Sequence, residues 1–231
     1  MSHSILRAVS RGELGGVFRL HVPGSVVAFG RSDRRRPGYP QAVRAAEAHG
    51  FAAVERLAGG RAAVFHEQTL AFSWTVPDPE PQERTIQRFK VISSLMAEAF
   101  RTLGVDARVG KIPGEYCPGE YSVNLAGRTK VMGVGQRVVR GAAHVGGVVV
   151  VNDALRIRDV LVPVYRALGL DWDPRTTGAI SDRAPGVDTD AVAKAIVESF
   201  AQRFDLSKGE LPETVVSRAE EFLSSHLPEV A

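Results

Sequence analysis

Apolar residues recur at helical spacing in six segments of the chain. The pattern is most regular in 83–103, where Ile86, Phe89, Ile92 and Met96 fall on one side of a helix that Gly104 would end. The same spacing predicts helices over five other segments: 2–9, 41–49, 155–168, 190–204 and 212–226.

Shorter runs rich in β-branched and aromatic residues predict strands between these helices. The strands are expected over eight segments: 18–22, 26–29, 51–56, 62–65, 70–76, 121–125, 129–138 and 142–151. The polar segment 30–40 is predicted as a loop. Because hairpin turns interrupt any regular alternation of strand and helix, the pattern predicts an α+β fold with a mixed, largely antiparallel sheet flanked by helices. We expect the main body over 1–186 and a helical C-terminal extension packed on it over 187–231.

The composition is that of an ordinary globular protein. Of 231 residues, 44% are hydrophobic and 24% are charged, and the net charge is +3. This small excess does not indicate a nucleic-acid binder, although it allows a local basic patch. The N-terminal residues lack the pattern of a secretory signal, and the longest apolar run, 148–151, is far too short to span a membrane. We therefore expect a cytoplasmic protein that binds neither nucleic acid nor membrane.

The single cysteine, Cys117, limits the covalent chemistry of the chain. One thiol forms neither an internal disulfide nor a zinc site of several thiolates, and no metal site is expected. A lone cysteine is either a small buried apolar residue or a nucleophile. Its loop, 113–121, contains prolines and glycines on both sides of the thiol, which favours an accessible and rigidly held nucleophile. Since about 3% of a free thiol is ionised at pH 7, activation requires a cation. Lys111 and Lys130 are the nearest candidates in sequence.

Three further features each have a structural and a functional interpretation. Gly59 and Gly60 lie between two predicted strands, and they form either a plain turn or part of a pocket wall where a ligand approaches the backbone. Lys130 is either an edge residue that reaches solvent or a pocket ammonium aimed at a carbonyl or phosphate group. His66 is either a satisfied strand histidine or a site residue.

Three segments, in this order, resemble the lipoate and octanoate attachment enzymes of the biotin and lipoate ligase superfamily. The sequence VVAFGR at 26–31 is similar to the family's early strand, and 56–66 is similar to its glycine-rich acyl-binding segment. The sequence GRTKVMGVGQ at 127–136 is similar to its lysine signature. The likeness covers residues 1–170 and implies the fold of that family's catalytic domain over 1–186.

Within this family the sequence most resembles the cysteine-dependent octanoyltransferases. The segment EYCPGEYSVNLAGRTK places Cys117 in the loop before the lysine strand, whereas the Arg-Asn-Asp stretch of ATP-dependent ligases is absent. The resemblance implies that Cys117 forms an acyl thioester and that Lys130 orients and polarises the acyl carbonyl, without a cofactor. It assigns acyl binding to Gly59, Gly60, Arg61, His66 and Gly133. Arg61 stands where ligases more often have a third glycine.

The implied reaction transfers an octanoyl or lipoyl group to a lysine of a lipoyl carrier domain. The implied partners are the lipoyl domains of 2-oxoacid dehydrogenases, with the glycine-cleavage H protein or an acyl carrier protein as donor. We expect Arg137 and Arg140 to attract these acidic partners, and the arginines at 34–36 to do so or simply to solubilise the surface. Two alternatives stay open: an ATP-dependent lipoate ligase, and a non-catalytic carrier-binding relative in which Cys117 is structural.

Overall fold

The computed structural model describes residues 1–229. Residues 230 and 231, the end of the predicted extension, lie outside the described residues. The helices are α1 (Ser2–Ser10), α2 (Arg31–Arg34), α3 (Tyr39–Ala48), α4 (Thr85–Thr102), α5 (Ala154–Ala167), α6 (Thr189–Ala201) and α7 (Glu213–Glu221). The strands are β1 (Val17–His21), β2 (Val26–Phe29), β3 (Ala52–Glu55), β4 (Ala63–Phe65), β5 (Thr69–Pro77), β6 (Ala107–Val109), β7 (Val123–Leu125), β8 (Thr129–Val139) and β9 (Ala142–Val150).

The strands form a large sheet and a small one. The large sheet has the order β1-β5-β9-β8-β7-β6, and every neighbouring pair in it is antiparallel. The small sheet has the order β3-β2-β4, with β2 parallel to β3 and antiparallel to β4. The predicted α+β class with a mixed, largely antiparallel arrangement is confirmed.

The structure differs from the predicted elements at one segment and adds one strand that the pattern did not predict. The segment 30–40 is not an uninterrupted loop, because it contains α2 and the start of α3. Strand β6 was not predicted, since three residues between turns give too short a pattern. The two strands predicted on either side of the glycine pair, β3 and β4, both lie in the small sheet, whereas the next strand, β5, lies in the large one.

One face of the large sheet is turned towards the small sheet. Helices α4 and α6 cover the opposite face, where Phe72 and Met132 pack in one core with Ile92 and Phe200. Helices α3 and α5 form a second core with the small sheet. Helix α7 packs on α1, and α1 also contacts β5 and β9 of the large sheet. None of the helices in the described range is long and apolar enough to cross a membrane.

Two loops meet at the edge of the large sheet and build the site. Strand β7 pairs with β8 only as far as Met132, so the rest of β8 has no strand neighbour on that side. The loop 110–122 between β6 and β7 and the loop 56–62 between β3 and β4 come together beside this uncovered part. The fold therefore brings Cys117 next to Gly60, although the two residues are 57 positions apart in the sequence.

Candidate active site

Cys117 lies in the loop 110–122, and its backbone has an uncommon conformation. Its φ is +43°, in the left-handed region that few residues other than glycine adopt. The Cys117 amide donates to the Tyr165 hydroxyl oxygen (2.9 Å), and the Cys117 carbonyl accepts from Lys130 Nζ (2.7 Å). Tyr165 in turn donates to the carbonyl of Ala62 (3.0 Å). These contacts hold a conformation that costs about 1–3 kcal/mol.

The Cys117 Sγ atom faces the segment that contains the glycine pair. The Arg61 amide donates to Sγ at 3.1 Å, and Arg56 Nη2 donates at 3.4 Å. Burial raises the pKa of the Cys117 thiol, but the charges of Arg56 and Lys130 and the Arg61 amide outweigh burial, so the pKa lies below its ordinary value. The site therefore favours the thiolate, which is the nucleophilic form.

Gly60 allows Arg56 to reach the thiol. Its φ is +107°, and a Cβ there would overlap the Arg56 guanidinium and come within 3.0 Å of Cys117 Sγ. Gly30 on the neighbouring loop is needed in turn, because a Cβ on it would overlap the Gly60 carbonyl. Close packing around the thiol therefore requires glycine at position 60, and a plain turn does not by itself explain the residue.

Lys130 lies beneath the cysteine loop, with only 1% of its surface exposed. Its Nζ donates to the Glu115 carboxylate (3.2 Å) and to the carbonyls of Tyr116 (3.0 Å) and Cys117 (2.7 Å). The Glu115 carboxylate also accepts from an amide and a hydroxyl of the same loop. Burial lowers the pKa of Lys130, and the neighbouring charges of Cys117 and Glu115 oppose this shift. An ammonium has three donors, and all three are engaged. The interpretation of Lys130 as a solvent-reaching edge residue was wrong.

The other residues assigned to acyl binding lie in different surroundings. Arg61 contributes its amide, while its side chain approaches Asp33 at 3.6 Å. A Cβ on Gly133 would lie 3.5 Å from Lys130 Cε. His66 is fully buried in a tight turn, where its Nδ1 accepts from an amide two residues on. His66 lines none of the three cavities named below, and its acyl-binding role stays a prediction.

Three residues of the site did not emerge as candidates from the sequence. Arg56 begins the glycine-rich segment 56–66, and its position at the end of a predicted strand and before two glycines was an available signal. Glu115 and Tyr165 gave no local signal, because their roles depend on contacts with Lys130 and Cys117. Lys111, the other expected cation, is exposed and pairs with Glu120, so it is not the group that faces the thiol.

Two cavities lie on either side of the loop 56–62. The edge cavity, of about 330 Å³, runs along the uncovered part of β8 and is lined by Gly59, Gly60, Phe89, Cys117, Gly119 and Gln136. The interior chamber, of about 420 Å³, lies between the two sheets and is lined in part by Arg19, Ala28, Arg56, Ala58, Ser73 and His144. Helix α7 and the turn after it close one side of this chamber. Arg56 thus reaches Cys117 and also lines the interior chamber.

The surface beside these cavities is basic. A third cavity, the outer basic cavity of about 530 Å³, borders the interior chamber and is lined by Arg31, Arg34, Arg35, Glu55, Arg56 and His226. Across the part of the chain that the structure covers, no three His, Cys, Asp or Glu side chains are grouped as metal ligands.

The predicted docking arginines differ in their contacts. Arg34 pairs with Glu55 (3.1 Å) and Glu229 (3.0 Å). Arg36 donates to a main-chain carbonyl at 2.7 Å, which gives it a structural role. Burial and the charges of Arg31 and Arg7 lower the pKa of Arg137. Arg140 is exposed at the turn between β8 and β9.

This architecture is that of the catalytic domains that attach lipoate. A lipoate-protein ligase A solved with bound ATP has a TM-score of 0.77, with 96% of this chain and 87% of that one covered and 19% identity. A bi-partite lipoate protein ligase of Thermoplasma acidophilum, described with its E2 lipoyl domain, has a TM-score of 0.71 at 19% identity and covers 96% and 86% of the two chains. At this identity the likeness establishes the fold.

The chain belongs to the lipoyl protein ligase A/B catalytic domain family, whose model matches residues 1–201. An octanoyl-GcvH:protein N-octanoyltransferase of Geobacillus kaustophilus is 29% identical over 184 residues, which are 80% of this chain and 64% of that relative. A lipoyl-GcvH:protein N-lipoyltransferase of Listeria monocytogenes is 23% identical over 189 residues, 78% of this chain and 68% of the relative. The family resemblance is confirmed. The chain spans less than two thirds of the first relative's length.

Proposed function

We propose that the chain is a cysteine acyltransferase that moves an octanoyl or lipoyl group to a lysine of a lipoyl carrier domain. The observation that carries the proposal is the surroundings of Cys117 Sγ, which faces the Arg61 amide and the Arg56 guanidinium in a partly buried loop. A structural cysteine needs neither a lowered thiol pKa nor a left-handed backbone fixed at both its amide and its carbonyl. The names of the relatives support the same chemistry.

In the first step the Cys117 thiolate attacks the acyl carbonyl of the donor. The bond from the carbonyl carbon to the donor's amine or thiol breaks, an acyl thioester forms on Sγ, and the leaving group takes up the proton that the thiol released. In the second step the acceptor lysine amine attacks the thioester, an amide forms, and the proton of that amine returns to the Cys117 sulfur. The Arg61 amide and the Arg56 guanidinium donate to the sulfur and so stabilise the thiolate. We expect the same two donors to stabilise the oxygen of the acyl carbonyl when it becomes negative.

Lys130 contributes to this reaction by holding the cysteine loop. Its three donors are occupied by Glu115, Tyr116 and Cys117, so polarising the acyl carbonyl would require it to give up one of these bonds. We therefore assign Lys130 as a positioning residue in this state of the site. Arg56 supplies the charge in contact with the sulfur.

The interior chamber and the edge cavity each suit one of the two groups that react, the acyl chain and the carrier lysine. The wall of the interior chamber near Arg56 includes the apolar residues Ala28, Ala58 and Ala71, and this part of the chamber suits the acyl chain. Burying about seven methylenes at about 0.8 kcal/mol each contributes roughly 5 kcal/mol of binding. The edge cavity contains Cys117 and leads along β8, and it suits the extended side chain of a carrier lysine. Gly59 and Gly60 form the boundary between the two.

The donor we propose is an acylated carrier of the GcvH type, because the relatives are named for it. An acyl carrier protein thioester is the competing donor. The acceptor we propose is a lipoyl domain, and the archaeal ligase of the same fold is described together with its E2 lipoyl domain. The basic surface around Arg31, Arg35 and Arg137 suits the acidic surroundings of such carriers.

The test uses the full chain with octanoylated GcvH or octanoyl acyl carrier protein as donor and a lipoyl domain as acceptor, without ATP. We expect an octanoyl adduct on the wild-type protein by intact mass, transfer to the lipoyl domain, and loss of both in Cys117→Ser. Lys111→Met is the matched control, since it removes a cation of the same region that does not face the thiol. Full activity of Cys117→Ser with free lipoate, ATP and Mg²⁺ would establish a ligase. Carrier binding without transfer from any donor would establish a non-catalytic relative.

A salt series tests the docking surface. Replacing Arg137 and Arg140 together by Gln should lower kcat/KM by about threefold to tenfold at low salt, through slower association. The defect should shrink as salt rises, because screening already weakens the wild-type attraction. Arg36→Gln serves as the structural comparison, since Arg36 holds a main-chain carbonyl. An equal loss at low and high salt in the double variant would exclude steering.

A further inference from the structure

The interior chamber does not open directly onto the thiol in this structure. Cys117 lines the edge cavity, whereas the residues that line the interior chamber include Arg56 but not Cys117. Arg56 Nη2 lies 3.4 Å from Cys117 Sγ, so Arg56 lies between the sulfur and the chamber. The direct route from Sγ to the chamber is therefore closed by Arg56, and an acyl chain bonded to the sulfur takes that route only when Arg56 moves.

The charge of the sulfur is what holds the Arg56 side chain in this position. Among the described residues, Cys117 Sγ is the one hydrogen-bond acceptor of that side chain, and its Nε is buried without a partner. The thiolate supplies the anion that a partly buried guanidinium needs. When a thioester forms, the electron pair of the thiolate becomes the bond to the carbonyl carbon, and the sulfur becomes neutral. Acylation therefore removes the charge that keeps Arg56 in place.

Asp33 is a second anion beside this loop, and its carboxylate is incompletely satisfied. Its side chain is fully buried, and its Oδ2 accepts from the Gly30 amide at 2.9 Å. Its Oδ1 is the one buried carboxylate oxygen without a hydrogen-bond partner among residues 1–229, since Arg61 Nη1 is 3.6 Å away. Burial raises the pKa of Asp33, and the Gly30 amide and the charges of Arg61 and Arg56 oppose this rise. A buried acceptor of this kind gains from a further donor.

The Asp33 carboxylate lies within reach of the Arg56 side chain. The Arg56 amide donates to the Phe29 carbonyl at 2.9 Å, and the next residue, Gly30, donates its amide to Asp33 Oδ2. These links place the carboxylate at most about 8 Å from the Arg56 main-chain nitrogen, and an extended arginine reaches about 7 Å from its Cα. Asp33 lines none of the three cavities. A guanidinium that turns to Asp33 therefore leaves the route between the sulfur and the chamber.

We propose that Arg56 is a gate controlled by the charge of Cys117, and that Asp33 is the positioning residue that receives the guanidinium when the sulfur is acylated. The inference rests on the proposed acyl transfer at Cys117 and specifies how the acyl chain enters the chamber. With a thiolate, Arg56 stays at Sγ and supports attack on the donor. With a thioester, Arg56 pairs with Asp33 and the chain occupies the interior chamber. When the acceptor amine breaks the thioester bond, the electron pair returns to the sulfur and draws Arg56 back.

The test converts Cys117 of the full chain to neutral disulfides with methyl and octyl methanethiosulfonate, each of which releases methanesulfinate. Crystal structures of both adducts should show Arg56 within about 3 Å of Asp33 Oδ1, because neutralising the sulfur is sufficient for the movement. The octyl chain should lie in the interior chamber. In the untreated control Arg56 should stay at Sγ. Arg56 that bonds to any group other than Asp33 in the adducts, or an octyl chain outside the interior chamber, would overturn the inference.

Asp33→Asn tests the carboxylate in solution through the melting temperature. In this variant the methyl adduct leaves the guanidinium without an anion, whereas in the wild-type protein Asp33 receives it. Modification should therefore lower the Tm by at least about 4 °C more in Asp33→Asn than in the wild type. Asp159→Asn, which replaces an exposed carboxylate of α5, should respond to modification as the wild type does. An equal Tm change in all three proteins would contradict a role for Asp33.

The pH dependence of alkylation separates this role from a merely structural one. In unmodified Asp33→Asn the midpoint of the iodoacetamide reaction should fall, because the thiolate is then the one anion available to Arg56. Lys130, Tyr165 and the Arg61 amide also face the thiol and are unchanged in this variant. A displaced loop would instead remove Arg56 from the thiol and raise the midpoint, which would reject the assignment of Asp33.

The gate and the proposed function fail in different ways. The adduct structures do not depend on acyl transfer, so movement of Arg56 to Asp33 would support the gate even if no donor loads Cys117. Octanoyl loading and transfer, with Arg56 fixed at the sulfur in both adducts, would support the transferase and reject the gate. Because the adducts are made on the wild-type protein, they decide the question even if Asp33→Asn does not fold.

Discussion

The Cys117 loop and the Arg19 side of the interior chamber differ in how their polar groups are satisfied. At Cys117, Lys130, Glu115 and Tyr165 all bond within the protein, and the sulfur itself accepts from two donors. In the chamber, Arg19 forms no ion pair or side-chain hydrogen bond with any residue of 1–229, and His21 Nδ1 is buried without a partner there. The first arrangement holds reacting atoms in a fixed geometry before substrate arrives, and the second is typical of a site that a ligand completes.

This contrast predicts opposite effects on stability of removing a cation in each region, and the largest effect is at Lys130. Lys130→Met leaves the Glu115 carboxylate buried without its charge partner, so we expect the free energy of unfolding to fall by about 3–5 kcal/mol in urea titrations. Replacing both partners, as Lys130→Met with Glu115→Gln, should recover part of this loss. A stable Lys130→Met protein with an unchanged urea midpoint would show that the pair does not hold the cysteine loop.

Arg56 controls the ionisation of the thiol, which a pH series measures. The thiolate forms as pH rises through the thiol pKa, and the lowered pKa of Cys117 places this midpoint below that of an ordinary cysteine. Lys130, the Arg61 amide and the Tyr165 hydroxyl also face the residue. In Arg56→Gln the midpoint of the iodoacetamide reaction rate should rise by about one pH unit, since an opposite charge nearby shifts a pKa by about 1–3 units. Arg61→Gln should shift it less, because Arg61 acts through its amide.

The sequence predicted the elements because their patterns are local. Helix α4 and the β8–β9 hairpin show their periods and turns within a few residues, and the class of fold follows from their mixture. The short strand β6 and the division of strands between two sheets depend on tertiary packing, and no local pattern predicts them. The domain boundary at 186 stays a prediction.

The site was predictable to the extent that single residues carry its chemistry. Cys117 stood out as the one thiol in a loop of turn residues, and Lys130 as a cation on an apolar strand. The partners of both residues were not predictable, because Arg56 and Tyr165 reach them from distant elements.

The smallest expected effect, at Arg19, is the one that separates the two regions most clearly. Arg19 has no partner within residues 1–229, so Arg19→Met leaves no buried charge unpaired and removes a half-buried one. We expect the free energy of unfolding in urea titrations to stay within about 0.5 kcal/mol of the wild-type value or to rise by up to about 1 kcal/mol. A loss of several kcal/mol in Arg19→Met would mean that Arg19 holds the fold together, and the two regions would then be alike.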